Sequence, residues 1–330
     1  MNAMPKIGSN VKKIGSKRKR VIDAINHRTP DRAPMDFGGS AVTGMHVSCV
    51  AKLRDYYGLD KRPVKVCEPY QMLGLIEDDL KEAIGIDVTP LLSRTNMFGF
   101  DNRDWKPWTF NGLEVLAPAD FRTTVDEKGD TLIYPKGDVS APPSGRMPKD
   151  GFFFDSIIRQ KPIDLDRLNP EDNAEQYTPL TDAQLDGIEE DGRAVNTGEY
   201  AVFASLVNTA LGDIAFVPGP DLTDPKGVRD VAEWYMLTAS HPDVVHKIFD
   251  RQVRGRHREP GKDPRPGRRR DRRDLSVRHG LRHADVVLLL GQDVRLVVEA
   301  ALRGALRLDS QEHDLEDVQA FLRLVGAILR

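Results

Sequence analysis

The hydrophobic positions change spacing several times along the chain, and each change marks an expected element. In KRKRVIDAINH, residues 17–27, Val21, Ile22 and Ile25 recur at helical spacing behind Ser16, a residue suited to an N-cap. The turn RTPDRAP ends that helix, because Pro30 and Pro34 cannot continue it. A short strand is expected over 33–37, then the small-residue loop GGSAVTG. Segments 47–57 and 69–84 read as amphipathic helices, and IDVTPLL, 86–92, as a buried strand after a tight turn at Gly85. Between Asn96 and Tyr134 the pattern shortens to alternating pieces divided by Gly, Asp and Pro. That predicts hairpins turning at Asn111-Gly112 and Lys128-Gly129. Residues 135–151 read as a Pro/Gly-rich loop. Beyond it come a helix over 181–190, a buried strand over 193–197, a helix over 201–211 and a brief extended piece over 214–217. Helices follow over 225–239 and 242–253, with Asp224 and His241 near their starts. Strands alternating with helices predict a parallel α/β fold, and at 330 residues a barrel is the default form.

Composition narrows the class. A net charge of −3 and 39% hydrophobic residues describe a globular chain with no global pull toward nucleic acid. No apolar run approaches the ~20 residues of a membrane span, and the basic start MNAMPKIGSNVKKIGSKRKR lacks the apolar core of a secretory signal. Cys49 and Cys67 are the only cysteines, which indicates no disulfide framework and fits a cytoplasmic location. With no paired Cys or His spacing around them they make no recognisable zinc site.

After Val253 the chain changes character. Residues 251–330 contain no Thr, Asn, Tyr, Trp, Cys or Met, Lys occurs there only as Lys262, and Arg becomes abundant. The run RGRHREPGKDPRPGRRRDRRD carries no hydrophobic period. A basic arm for nucleic acid or phosphate is one reading, although the aromatic residues of a base-stacking surface are missing. A wrong reading frame in a GC-rich gene is the other. RHREPGKD, back-translated and read one base later, spells G-I-E-N-L-E-K-I, an amphipathic continuation of the helix over 242–253. The same offset turns RHGLRHADV into G-T-D-F-G-T-Q-T, the segment 295–302 into D-S-L-W-K-P-H-Y, and HDLEDVQAFLR into T-T-W-K-T-F-K-H-S-C-G. Every local rule improves in the other frame, so we expect a frameshifted tail over 254–330, behind a basic arm (1–16) and an in-frame part (17–253). Chance apolar runs over 281–290 and 294–330 are still expected to form a strand-like stretch and helices.

The opening SKRKRVIDAINHRTPDRAPMDFGG, the segments QMLGLIEDDLKEAIGIDVTPL, PSGRMPKDGFFFD and NTGEYAVFASLVNTALG, and GPDLTDPKGVRDVAEWYMLTASHPDVVHKIFD together resemble the uroporphyrinogen decarboxylase superfamily. The resemblance covers about residues 17–253. It implies a (β/α)8 TIM barrel, here incomplete, and a small-molecule substrate. Within the superfamily the chain is more similar to the corrinoid-dependent, zinc-containing methyltransferases that resemble methylcobalamin:coenzyme M methyltransferase. The decarboxylase of haem and porphyrin biosynthesis has an Arg-bearing stretch after the P-D-R-x-P turn for its substrate's carboxylates, whereas Phe37 to Thr43 carries no cation. The decarboxylase's catalytic Asp also has no clear counterpart in VTPLLSR. The shifted peptide K-H-S-C-G resembles the His-x-Cys zinc motif of the methyltransferases, with a corrinoid protein as the implied partner. As written, those codons give Gln319 to Arg323, so neither zinc nor another cofactor is expected in this chain. The expected activity, methyl transfer from a corrinoid protein to a thiol or similar acceptor, is therefore expected to be lost. A tetrapyrrole-pathway decarboxylase and a non-enzymatic basic binding protein are the alternatives. No membrane partner is expected, and nucleic acid is disfavoured.

Barrel chemistry sits at the carboxyl ends of strands, which singles out a set of substrate-binding candidates. Asp36 is either a ligand-binding carboxylate or a turn residue. Gly38 and Gly39 either admit a ligand to the backbone or make a tight turn. His46 either orients a substrate or starts a helix. Asn196, Glu199 and Tyr200 follow the strand expected over 193–197, in a site or a capping role. No catalytic residue is assigned.

Overall fold

The computed structural model describes residues 17–164, 167–178, 181–195, 199–204, 210, 212–256 and 286–288. The elements run α1 (Lys17–Ile25), β1 (Met45–His46), α2 (Val47–Tyr56), β2 (Val64–Glu68), β3 (Leu73–Gly74), α3 (Asp78–Ile84), β4 (Val88–Leu91), β5 (Trp105–Phe110) and β6 (Leu113–Pro118). There follow β7 (Thr123–Val125), β8 (Thr131–Ile133), β9 (Gly145–Met147), β10 (Asp155–Ser156), α4 (Asp182–Val195), β11 (Ala201–Ala204), α5 (Val231–Ser240), α6 (Pro242–Arg256) and β12 (Val286–Leu288).

Two sheets take in the strands of the alternating region together with strands before and after it. The first has the order β1-β3-β2-β6-β5 and the second β10-β9-β8-β7. Both expected hairpins form. Asn111 and Gly112, at φ +47° and +79°, turn β5 into β6, the left-handed pair that matches strand twist. Gly129, at φ +84°, turns β7 into β8, where Asp126 accepts the amides of Lys128 (2.9 Å) and Asp130 (3.0 Å). Val64 and Val66 of β2 face inward with Val47 and Val50 of α2 and Val115 and Ala117 of β6. Phe98, Phe100, Phe121 and Phe154 complete this core, with Phe98 and Phe100 stacked at 5.9 Å. All its buried members lie between Val47 and Phe154.

The third sheet is parallel, in the order β12-β11-β4. Val88, Ala201 and Phe203 pack under Val21 and Ile25 of α1, while Leu91, Val202 and Ala204 pack against Ile188 and Val195 of α4. A strand buried on both faces reads as a continuous apolar run, which is what A-V-F-A is. The architecture is mixed α/β, and among the described residues the strands close no barrel.

Several expected elements differ. Residues 193–195 end α4 instead of starting a strand, and 201–204 form a strand where a helix was expected; 196–198, 205–209 and 211 lie outside the described residues. The expected helix over 69–84 reduces to α3, because residues 69–72 make a turn and Leu73-Gly74 joins the first sheet. Gly74 packs so closely that a Cβ there would lie 3.0 Å from Val47 Cα. Segment 33–37 runs beside β4 but makes one backbone bond to it, Asp87 N to Met35 O at 2.9 Å. Pro34 has no amide to offer and the Met35 amide goes to the Asp87 side chain, so no ladder forms. Residues 214–217 form turns. The helix expected from 225 starts at Val231, capped by Asp230. Of the tail, only 254–256, which end α6, and β12 fall among the described residues; 257–285 and 289–330, Gln319 to Arg323 included, lie outside them, as does the arm 1–16. No helix among the described residues is long and apolar enough to cross a membrane.

The P-D-R-x-P turn has a structural job. Asp87 is fully buried and accepts Arg20 Nη1, Arg32 Nη1 (2.7 Å), Arg32 Nη2 (2.9 Å) and the Met35 amide (2.8 Å). Asp31 holds the other edge of the Arg20 guanidinium at 2.7 and 2.9 Å. A charge taken out of water needs such partners. The network ties α1, the turn and the start of β4 together, and so positions the loop that follows.

Candidate functional site

Asp36 ends the extended segment beside β4 and organises the loop after it. Its Oδ1 accepts the Gly39 amide at 2.9 Å and its Oδ2 the Thr43 hydroxyl at 3.2 Å, while the Gly38 amide donates to Thr43 O at 2.8 Å. Gly38 has φ +79°, a conformation that favours glycine. At Gly39 an added Cβ would lie 2.5 Å from Asp36 Oδ1 and 2.9 Å from Val88 Cγ1, so close packing inside the loop already requires glycine there. The loop rests on Ile76 on one side and Val88 on the other, with Phe37 and Val42 exposed beside it. Burial raises the Asp36 carboxyl above the ordinary range, against the opposing pull of the Gly39 amide and Thr43 hydroxyl. A carboxyl in this state can exchange a proton or accept a hydrogen bond from a polar ligand. With no cation in residues 36–44, it is poorly suited to a polyanion.

His46 stands at the start of α2 with both ring nitrogens engaged. Nδ1 lies 2.8 Å from Ser48 Oγ and accepts the Ser48 amide at 3.2 Å; Nε2 lies 2.8 Å from Phe152 O. A carbonyl can only accept, so Nε2 carries the proton and Nδ1 caps the helix. The ring packs against Phe110 and Phe152 at 5.4 and 5.9 Å.

Glu199 and Tyr200 precede β11 and so lie at its amino-terminal end, away from the carboxyl ends where barrel chemistry collects. Lys17 donates to Glu199 (3.2 Å), to the Tyr200 hydroxyl (3.3 Å) and to Glu82, and Tyr200 donates to Glu82. The Lys17 and Lys81 ammonium groups also sit 4.5 and 5.0 Å from the Tyr200 ring centre. Burial and the Glu82 bond push the Tyr200 hydroxyl up to about 12. Together these contacts fasten α1 to the sheet. Asn196 lies outside the described residues. Asp36, Gly38 and Gly39 are therefore brought together, His46 is committed to a cap and a carbonyl, and Glu199 and Tyr200 are engaged with Lys17 and Glu82.

Sequence reading missed two acids. Glu68 ends β2, its Oε1 accepting the Tyr70 amide and its Oε2 the Gln71 amide, both at 2.8 Å. Burial, only partly offset by those amides, pushes it up to about 7. The run E-P-Y-Q was read as a helix start, where an acid is ordinary. Asp221 is likewise raised by burial against the pull of Lys136, Arg229 and Arg159. Its loop is held by Arg159, which donates to Leu222 O and Gly219 O at 2.6 Å each. Burial, with the neighbouring Glu68, pushes the half-buried Cys67 thiol up to about 12, which disfavours a thiolate; Cys49 is exposed. Among the described residues no group of three or more His, Cys, Asp or Glu side chains is arranged to hold a metal ion.

No protein-family model matches the chain, and no curated protein or solved structure is significantly similar to it.

Proposed function

We propose that this chain derives from the methyltransferase-like branch of the uroporphyrinogen decarboxylase superfamily, moving a methyl group from a corrinoid protein to a thiol or similar acceptor, and that as written it has lost the activity. The observation that carries the choice of branch is the cation-free loop organised by Asp36. A substrate bearing several carboxylates calls for guanidinium or ammonium groups, and this loop offers a desolvated carboxyl instead. The three parallel strands, with α1 against one face and α4 against the other, are on this reading an opened arc of a (β/α)8 barrel.

Zinc does not fit the residues present. Gln319 to Arg323 supply no thiolate or imidazole, and a methyltransferase zinc site needs soft nitrogen and sulfur donors. The loss of activity is thus assigned to the change of frame near residue 253.

The test is to sequence the gene around codons 250–258, restore the frame, and assay the full-length product. Bound zinc together with methyl transfer from methylcobalamin to a thiol supports the proposal. Turnover of uroporphyrinogen would make it a decarboxylase instead. An intact frame, with salt-dependent DNA retention by the chain as written, would replace both with a basic binding protein.

A further inference from the structure

We propose that the outer edge of β11 is a strand-binding surface, which takes an extended apolar segment in parallel and is occupied by residues 286–288 as a ligand tethered to the same chain. Every residue of β11 is buried, and the strand is covered by α1 on one face and α4 on the other. Its amides and carbonyls therefore need protein partners along both edges, since a buried backbone group left unpaired is costly. β4 fills one edge over four residues, from Ala201↔Val88 to Ala204↔Leu91. The other edge is filled at Val202↔Val286, Phe203↔Val287 and Ala204↔Leu288.

The two partners are attached differently. β4 is fixed at both ends: Asp87 just before it carries the Arg20 and Arg32 network, and Arg94 just after it donates to Asp191 (2.7 Å) and Glu190 (2.9 Å) of α4. β12 follows residues 257–285, a stretch dominated by Arg whose apolar members are Leu275, Val277, Leu281 and Ala284, prolines aside. Recognition thus rests on the short run V-V-L and its ladder. Strand addition of this kind draws its affinity from main-chain hydrogen bonds, so the partner that fits is any extended segment carrying such an uncharged apolar run. A tether holds its own copy at an effective concentration on the order of millimolar, and a free segment competes poorly until the tethered one is removed. None of this depends on the reaction proposed above, since only the chain as written is involved.

The test is a fluorescein-labelled peptide of residues 284–291, A-D-V-V-L-L-L-G, titrated by anisotropy against the full chain and against a full-length variant carrying Val286→Pro, Val287→Pro and Leu288→Pro. The prolines remove the three amides of the tethered strand and leave β11 unaltered. The variant is expected to bind the peptide at least about ten-fold more tightly than the unaltered chain, and a peptide bearing the same three prolines to bind neither. Equal binding to both chains, or none to a variant that keeps its circular dichroism, would overturn the proposal. If the variant does not fold, amide hydrogen exchange of the unaltered chain decides. Residues 202–204 and 286–288 are expected to be protected and to open together; exchange of 286–288 at the rate of a free peptide, or opening independent of 202–204, refutes the pairing on which the surface rests.

Discussion

Replacing Asp87 with alanine tests whether the P-D-R-x-P turn is held by charge. Asp87 is fully buried and its partner Arg20 is 5% exposed, so the substitution leaves Arg20 Nη1 and the Met35 amide facing a void. Arg20 keeps both bonds to Asp31, and Arg32 is exposed enough to recover water. Breaking one side of a buried pair costs about 3–5 kcal/mol, and each orphaned donor accounts for about 1–3 of that. With Arg20 half rescued, the lower part of that range, about 3 kcal/mol, is expected. Asp87→Asn keeps the volume and one acceptor but turns an NH₂ toward a guanidinium, and should cost about 2 kcal/mol. Asp31→Asn, at a position partly open to water, should cost less than either Asp87 substitution. Urea unfolding followed by tryptophan fluorescence gives all three. A domain is stable by only about 5–15 kcal/mol, so the alanine variant should show a clearly lower midpoint. An Asp87→Ala loss below that of Asp31→Asn would refute the reasoning, because the buried carboxylate would then not be what holds the turn.

Three further outcomes follow from the loop and its supports. Gly39→Ala forces a methyl against Asp36 Oδ1 and Val88 Cγ1 and should cost about 1–3 kcal/mol in urea; a loss under half a kcal/mol would mean the loop gives way freely. Thr43→Val removes the donor to Asp36 Oδ2, so the already raised Asp36 carboxyl should titrate higher still by carbon NMR. Because its folded pKa lies above the unfolded value of 3.8, stability from this group is present below that value and lost as pH rises through the folded pKa. Thr43→Val should therefore extend that loss to higher pH, and an unmoved or lowered titration would contradict the assignment. His46→Ala removes both the α2 cap and the tie to Phe152 O, and a loss of about 1–2 kcal/mol is expected; His46→Asn, which can cap but not reach Phe152, should recover part of it.

The sequence was most legible where local chemistry decides the backbone. Asn-Gly and Lys-Gly turned as expected because few residues tolerate a positive φ, and α1 and α2 followed their 3.6-residue periods. Misreadings fell where burial on two sides erases periodicity. Y-A-V-F-A is apolar at successive positions, and such a run reads equally as a strand or a helix. The two glycines of D-A-Q-L-D-G-I-E-E-D-G-R-A-V disguised α4 as a helix that had already ended. That exchange carried Glu199 and Tyr200 to the wrong end of β11. At 69–76 the apolar spacing of Met72, Leu73 and Ile76 imitated a helix, while the decisive features were Glu68 gripping two amides and Met72 in the left-handed region. Asp36 was found because it ends an extended segment before a glycine loop. Its desolvation was invisible, since Val88 and Ile76, against which its loop packs, lie 40 or more residues further along the chain.

The confinement of the first core to residues 47–154 bears on how the protein is made. At roughly 5–20 residues per second, a ribosome needs several seconds more to add everything after Val253, whereas hairpins and helices form in about microseconds. Under the change of frame proposed above, the aromatic cluster could close before the altered codons are translated. Such a change would then reach the nascent chain too late to prevent its earliest structure, and quality control would meet a polypeptide whose first half is already assembled.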